Sequence, residues 1–280
     1  MVWGSLSAGY KSGDATSRGS LGFRVYRWGS VGQVPPVVPP LFASNHGPIV
    51  VGHRGAPAEA KENTSAAFAA AAVGGATWVE LDARLNADGV VVVHHDPVHA
   101  DGRAVVDFTT AECDAAGIAT LAAILEGLPP ELGVDVEIKN LPGEPDHDPA
   151  MAVVGACARD LADFAKGRPL LISSFNPMVL LAARGMGLAH PLGLLTFGTP
   201  LRMGVEAASD IGCAALCPHH STDGLDSDGV AGAHAAELQV LAWTVDDDRR
   251  ASQLAGQGVD ALCTNDPRRI AEVLRVTPKD

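Results

Sequence analysis

The 280-residue sequence has no stretch approaching the roughly 20 uninterrupted apolar residues that span a bilayer, so stable membrane insertion is not expected. Basic charge is scarce: 20 lysines and arginines stand against 33 acids, for a formal net charge of −13. Nucleic-acid binders neutralise phosphates with a basic face, so nucleic acid is not an expected partner. An acidic chain that handles an anionic small molecule needs a cation or a few focused basic groups at its site. A disulfide framework is missing too. The five cysteines, Cys113, Cys157, Cys213, Cys217 and Cys263, are odd in number and scattered, which fits a reducing, cytoplasmic setting. The opening residues lack a basic region followed by a roughly 7–15-residue apolar run, so no secretory signal is read there. No internal repeat is found.

Hydrophobic residues make up 47% of the chain and charged residues 19%, the balance of a globular protein large enough to bury a core. Residues 1–47 differ from the rest. They are rich in Gly, Ser and Pro, with VGQVPPVVPP at 31–40, and favour extended, polyproline-like chain. They are expected to be a disordered tail, mildly basic through Arg18, Arg24 and Arg27, ahead of a folded domain at 48–280. A membrane- or partner-binding arm is the other reading of this tail.

From Ile49 onward, short apolar runs alternate with alanine-rich helical stretches. The runs are 49–52, 77–81, 90–93, 134–138, 169–173, 192–196, 214–217, 240–245 and 260–264. The segments at 64–75 and 151–167 suit helices. This alternation argues for an α/β fold with a parallel sheet, and a closed (β/α)8 TIM barrel needs eight strands. The ninth run is explained by one short connection. Only Asn86, Ala87, Asp88 and Gly89 separate the second run from the third, whereas a parallel crossover takes about a dozen residues. Four residues ending in Asp-Gly make a hairpin instead. The second strand therefore overshoots the rim, turns, and returns antiparallel, carrying His95 toward Glu80 and Asp82.

Reactive groups in such barrels sit at the carboxyl ends of the strands. Glu80 and Asp82 are two apart on a strand and share a face, as do Glu137 and Lys139. Carboxylates converging there repel one another unless a hard divalent cation lies between them, Mg²⁺ or Ca²⁺ with Mn²⁺ as a further candidate. The competing reading is structural acids paired with Arg84 or Lys139. His53 and His95 fall on the same face, suited to general acid–base work, or alternatively to hydrogen-bonded core positions. Arg54 and Lys139 suit a phosphate, or simple charge balance.

Other features have structural explanations. Cys213, Cys217, His219 and His220 do not follow a common zinc spacing. His94 alternates with His95 and should face away from it. The glycines at 74–75 and 185–187 are helix ends, because the Walker spacing is absent. Asp246-Asp247-Asp248 is expected to cap and open a helix.

His53-Arg54-Gly55, Glu62-Asn63-Thr64, Glu80-Leu81-Asp82, Asp88-Gly89, His95-Asp96, Glu137-Ile138-Lys139, Ser174-Phe175, Trp243-Thr244-Val245 and Gly258-Val259-Asp260 with Thr264-Asn265-Asp266-Pro267 form an ordered set. In that order they resemble the signature of the glycerophosphodiester phosphodiesterase family, over roughly residues 49 to 275. Lys61 and Asn86 depart from the family pattern at loop positions, and Pro97 to Thr120 leaves no room for the domain that some relatives insert. The resemblance implies a (β/α)8 barrel of the phospholipase-C-like phosphodiesterase type. It also implies hydrolysis of small-molecule glycerophosphodiesters to glycerol 3-phosphate and an alcohol. It assigns one divalent cation to Glu80, Asp82 and Glu137, acid–base catalysis to His53 and His95, and phosphate binding to Arg54 and Lys139. Glu62 becomes a further polar contact, and Phe175 and Trp243 wall the pocket near the glycerol or alcohol part. A lysophospholipase D-type hydrolase and a non-catalytic binding barrel are the alternatives.

Overall fold

A computed structural model describes residues 41–44, 47–164 and 167–276. Each apolar run forms a strand: β1 (Ile49–Gly52), β2 (Trp78–Leu85), β3 (Val91–Val93), β4 (Gly133–Ile138), β5 (Leu170–Ser174), β6 (Leu192–Thr196), β7 (Ala215–Pro218), β8 (Gln239–Ala242) and β9 (Ala261–Thr264). All except β3 run parallel in the cyclic order β1-β9-β8-β7-β6-β5-β4-β2, which β1–β2 pairing closes. This is the expected eight-stranded TIM barrel.

β3 pairs antiparallel with the far half of β2, Leu85 opposite Val91 and Ala83 opposite Val93. Asn86 makes the turn between them: its side-chain oxygen accepts from the Asp88 and Val90 amides, and Gly89 supplies the positive φ of 71°.

The connections hold α1 (Ser65–Gly74), α2 (Thr110–Ala115), α3 (Leu121–Gly127), α4 (Ala152–Phe164), α5 (Pro177–Gly185), α6 (Leu201–Ile211), α7 (Ser227–Ala235), α8 (Asp248–Gly256) and α9 (Pro267–Val276). Their starts are set by local chemistry. Thr64 caps α1 and Asn176 caps α5 by accepting main-chain amides, and Asp247 caps α8 in the same way. The glycines at 74–75 end α1, with Gly75 left-handed, and Gly185 ends α5.

Alternation along β2 separates two cores. Val79, Leu81 and Ala83 pack outward against the helices, while Trp78 joins Ile49, Val51, Leu171, Ala215 and Leu241 inside the barrel. The floor of the interior is thus apolar. Trp78 occupies it so fully that a Cβ on Gly133 would sit 2.3 Å from the indole ring. Phe42 closes the same cluster edge-on to Trp78, with centroids 5.2 Å apart, and its amide donates to the Gln239 side chain. Leu41 and Phe42 therefore pack with the barrel, although the sequence reading gives them to the tail. Residues 1–40 of that tail lie outside the described residues. Among the described residues, no helix is long and apolar enough to cross a membrane.

Candidate active site

The upper half of the barrel interior is polar. The β2–β4 register sets Glu80 beside Asp135 and Asp82 beside Glu137, so two rungs of carboxylates line one wall. One oxygen each from Glu80, Asp82 and Glu137 lies within 4.8 Å of the others, and all three residues are buried. Among the described residues, this is the one group of three or more side chains placed to hold a metal ion.

Several groups steady the cluster. The Lys139 Nζ lies 2.5 Å from Glu137 Oε1 and 2.9 Å from Asp82 Oδ1. Asn63 donates to Asp82 Oδ2 at 2.8 Å, and Arg54 Nε is 3.4 Å from that oxygen. The Arg54 backbone, left-handed at φ 52°, aims its amide at Glu80 Oε2, 2.8 Å away. That conformation costs a non-glycine residue about 1 kcal/mol, and the next residue, Gly55, is left-handed as well. A side chain on Gly55 would strike the Ala67 backbone at 2.6 Å.

Two oxygens of the cluster have no hydrogen-bond partner. Glu80 Oε1 is buried and unsatisfied, and so is Asp82 Oδ1, whose ion pair with Lys139 is close but poorly aligned. An orphaned buried acceptor such as Glu80 Oε1 costs about 1–3 kcal/mol, and a cation beside it would satisfy it and complete the pairing of Asp82 Oδ1. The residues present therefore fit a hard, oxygen-preferring divalent ion.

The charges are unevenly shared. Burial, reinforced by Asp82 and Glu137, holds the Glu80 carboxyl well above the usual carboxylate range. Burial also raises Glu137. Burial would raise Asp82 too, but Lys139, His95 and Arg54 overcome it and keep Asp82 ionised. Asp135, one rung deeper, is pushed up to about 8 by burial, reinforced by the Glu137 and Asp82 charges.

His53 and His95 reach the same cleft as Arg54, Glu80, Glu137, Lys139, Phe175 and Trp243. His53 Nδ1 is 2.8 Å from Asn265 Oδ1, and His95 Nδ1 is 2.7 Å from Asp96 Oδ1. Burial lowers both imidazoles below their ordinary value; Arg54 adds to this at His53. Phe175 and Trp243 meet edge-to-face, with centroids 5.3 Å apart, on the cleft wall.

Glu62 lies outside the cleft lining. It is half-exposed and holds Arg54 Nη1 at 3.1 Å. Arg84 does not pair with the three carboxylates, which removes one of the counter-charges expected for them. Its guanidinium turns to Glu144 and Asp146 at 2.9 and 2.5 Å and to the His95 carbonyl. His94 is absent from the cleft lining, and its Nδ1 contacts the Asp96 carbonyl oxygen. Cys217 is buried in the barrel interior, and His219 packs on Trp243 and Phe197. A larger cleft of about 660 Å³ between α6 and α7, lined by Arg202, Asp223 and Asp228 among others, shares no residue with this site.

Two contributors carry weaker signals in the sequence. Asp135 sits two residues before Glu137 on the same face of β4, a spacing the sequence displays. Asp246 is hidden in a triplet of aspartates read as a helix cap. Asp247 caps the helix and Asp248 opens it; Asp246 instead accepts from Asn265 Nδ2 at 2.7 Å.

Fold and site together define a (β/α)8 barrel with a cation-ready acidic mouth, two imidazoles and two cationic side chains. The chain belongs to the glycerophosphoryl diester phosphodiesterase family, whose model matches residues 53–269. A glycerophosphodiester phosphodiesterase from Caldanaerobacter subterraneus is 29% identical over 256 residues, covering 81% of this chain and 98% of that one. An Oleispira antarctica phosphodiesterase, solved with its product sn-glycerol-3-phosphate, is 28% identical with a TM-score of 0.72, over 82% of this chain and 97% of that one. A Thermotoga maritima glycerophosphodiester phosphodiesterase shares the fold at 23% identity and a TM-score of 0.67, covering 82% of this chain and 100% of that one.

Proposed function

We propose that this chain hydrolyses glycerophosphodiesters to glycerol 3-phosphate and an alcohol in a reaction that depends on a divalent cation. The observation that carries the reading is the meeting of Glu80, Asp82 and Glu137 within 4.8 Å beside a cleft shared by His53 and His95. Family membership and the product bound to the Oleispira antarctica relative support it.

Glu80, Asp82 and Glu137 would hold the cation, Mg²⁺ or Ca²⁺ with Mn²⁺ a further candidate. When bound, it supplies charge neutralisation for the phosphate oxygens. Arg54 and Lys139 bind the remaining phosphate charge from the same wall, and Glu62 keeps the Arg54 fork in place. Of His53 and His95, one takes the proton of the attacking hydroxyl and the other returns a proton to the leaving alkoxide. The attacking group is the neighbouring hydroxyl of the substrate's own glycerol, and water then opens the cyclic phosphate. Phe175 and Trp243 exclude water on the side of the glycerol or alcohol. Five unpaired cysteines fit a reducing, cytoplasmic setting.

The test is to strip the protein with a chelator, refill it with Mg²⁺, Ca²⁺ or Mn²⁺, and offer glycerophosphocholine, glycerophosphoethanolamine and a lysophospholipid side by side. Release of glycerol 3-phosphate from the first two, abolished by chelation, is expected. Turnover of the lysophospholipid alone would replace this reading with the lysophospholipase D one, and turnover of none would overturn both.

A further inference from the structure

We propose that Asp246 is a positioning residue which, through Asn265, fixes the proton of neutral His53 on Nδ1 and leaves Nε2 as the basic nitrogen. The inference rests on the reading of His53 as an acid–base group.

Asp246 stands at the solvent edge after β8, yet it gathers three donors. Oδ1 accepts from the Thr264 hydroxyl at 2.9 Å and the Asn265 amide at 2.8 Å, and Oδ2 accepts from Asn265 Nδ2 at 2.7 Å. An ionised carboxylate only accepts, so Asn265 must turn its NH₂ toward Asp246. Its carbonyl oxygen is thereby left facing His53 Nδ1, 2.8 Å away. An amide oxygen also only accepts, so Nδ1 carries the proton. The chain Asp246–Asn265–His53 thus has one consistent set of donors and acceptors, and in it Nε2 of His53 holds the lone pair available for chemistry. This makes His53 the base of the first step and His95, set against the Asp96 carboxylate, its acid. Asp246 is not the helix cap; Asp247 accepts the Arg250 amide that opens α8.

Replacing the carboxylate by an amide reverses the chain. In Asp246→Asn the new NH₂ donates to Asn265, whose amide turns over and offers its own NH₂ to His53 Nδ1. The imidazole proton then moves to Nε2, and the base is lost. The double exchange D246N/N265D restores an acceptor opposite Nδ1 while satisfying every partner.

The experiment combines ¹⁵N spectra of the histidine side chains in the cation-free protein with kcat and KM on glycerophosphocholine in Mg²⁺. The His53 signals are assigned by their loss in His53→Ala. The parent should show the Nδ1–H tautomer. D246N should show Nε2–H, with kcat lowered at least ~10-fold and KM within ~2-fold. The double exchange should regain Nδ1–H and a kcat within about 3-fold of the parent. Asp247→Ala should lower the melting temperature and leave kcat alone. Retention of Nδ1–H and kcat in D246N overturns the proposal. So does a double exchange that folds but recovers neither; this second variant decides the matter if D246N does not fold. A parent inactive on every phosphodiester would remove the functional reading, while the tautomer spectra would still decide the relay.

Discussion

Arg84 donates from both Nε and Nη2 to the main-chain carbonyl of His95, at 2.9 and 2.7 Å. The third arm of its guanidinium holds Glu144 and Asp146. One fully buried side chain therefore clamps the returning segment to the loop after β4. Arg84→Met should lower stability by about 3–5 kcal/mol in urea denaturation, because it leaves the buried Asp146 without its counter-charge. It should also lower kcat, because His95 loses its anchor. An Arg84→Met protein as stable and active as the parent would contradict both effects.

His53→Ala and His95→Ala should each lower kcat roughly 10²–10⁴-fold, the usual contribution of an acid–base group. Initial rates on glycerophosphocholine in saturating Mg²⁺ test this. Near-normal turnover in either variant would remove that histidine from the mechanism.

Asp135 gives the cation-free protein a pH-dependent stability. Its proton is held more tightly in the folded chain, up to about 8, than at its ordinary 3.8. The folded state therefore binds the extra proton across that window, and stability falls as pH rises. Glu80, also raised, acts in the same direction. The lowered values of His53 and His95 act in the opposite sense, but only below their ordinary 6.5. Between pH 7 and 8, denaturation in chelator should show a loss of about 1 kcal/mol. Asp135→Asn should flatten that slope, and a divalent cation should raise stability at pH 8 by satisfying Glu80 and Asp82. A slope unchanged by Asp135→Asn would assign the effect elsewhere.

Phe42→Ala should cost about 3–5 kcal/mol, the range for deleting a buried phenylalanine. A chain beginning at residue 48 should be destabilised in the same way, since it uncovers Trp78. Thermal melts of the two variants that matched the parent would show that the barrel floor does not need this ring.

The barrel was legible because periodicity and connection length are local properties. Four residues between two strands exclude a crossover, and from that one count the hairpin and the approach of His95 to Glu80 follow. Glu80, Asp82, Glu137 and Lys139 were legible as pairs on strand faces, because a period of two is fixed by the backbone. Partner choice was not. Whether Arg84 faces the carboxylates or the His95 carbonyl depends on Glu144 and Asp146, about 60 positions away. Asp246 looked like its two neighbours, and only the fold separates a helix cap from the residue that holds Asn265. Phe42 was obscured by the prolines before it, since composition averages over the one ring that packs.

The overshoot of β2 and its return through β3 put Glu80, Asp82, Arg84 and His95 on one short hairpin, with Arg84 stitching its two ends. Much of the proposed chemical apparatus is thereby carried by one element, which the segment after Pro97 braces through main-chain hydrogen bonds from Ala87 to Phe108 and from Val93 to Ala119. A change of chain length between Pro97 and Thr120 would therefore be felt at His95 wherever it disturbed those bonds, so the outer wall of the cleft and the hairpin that carries these four side chains are built to vary together.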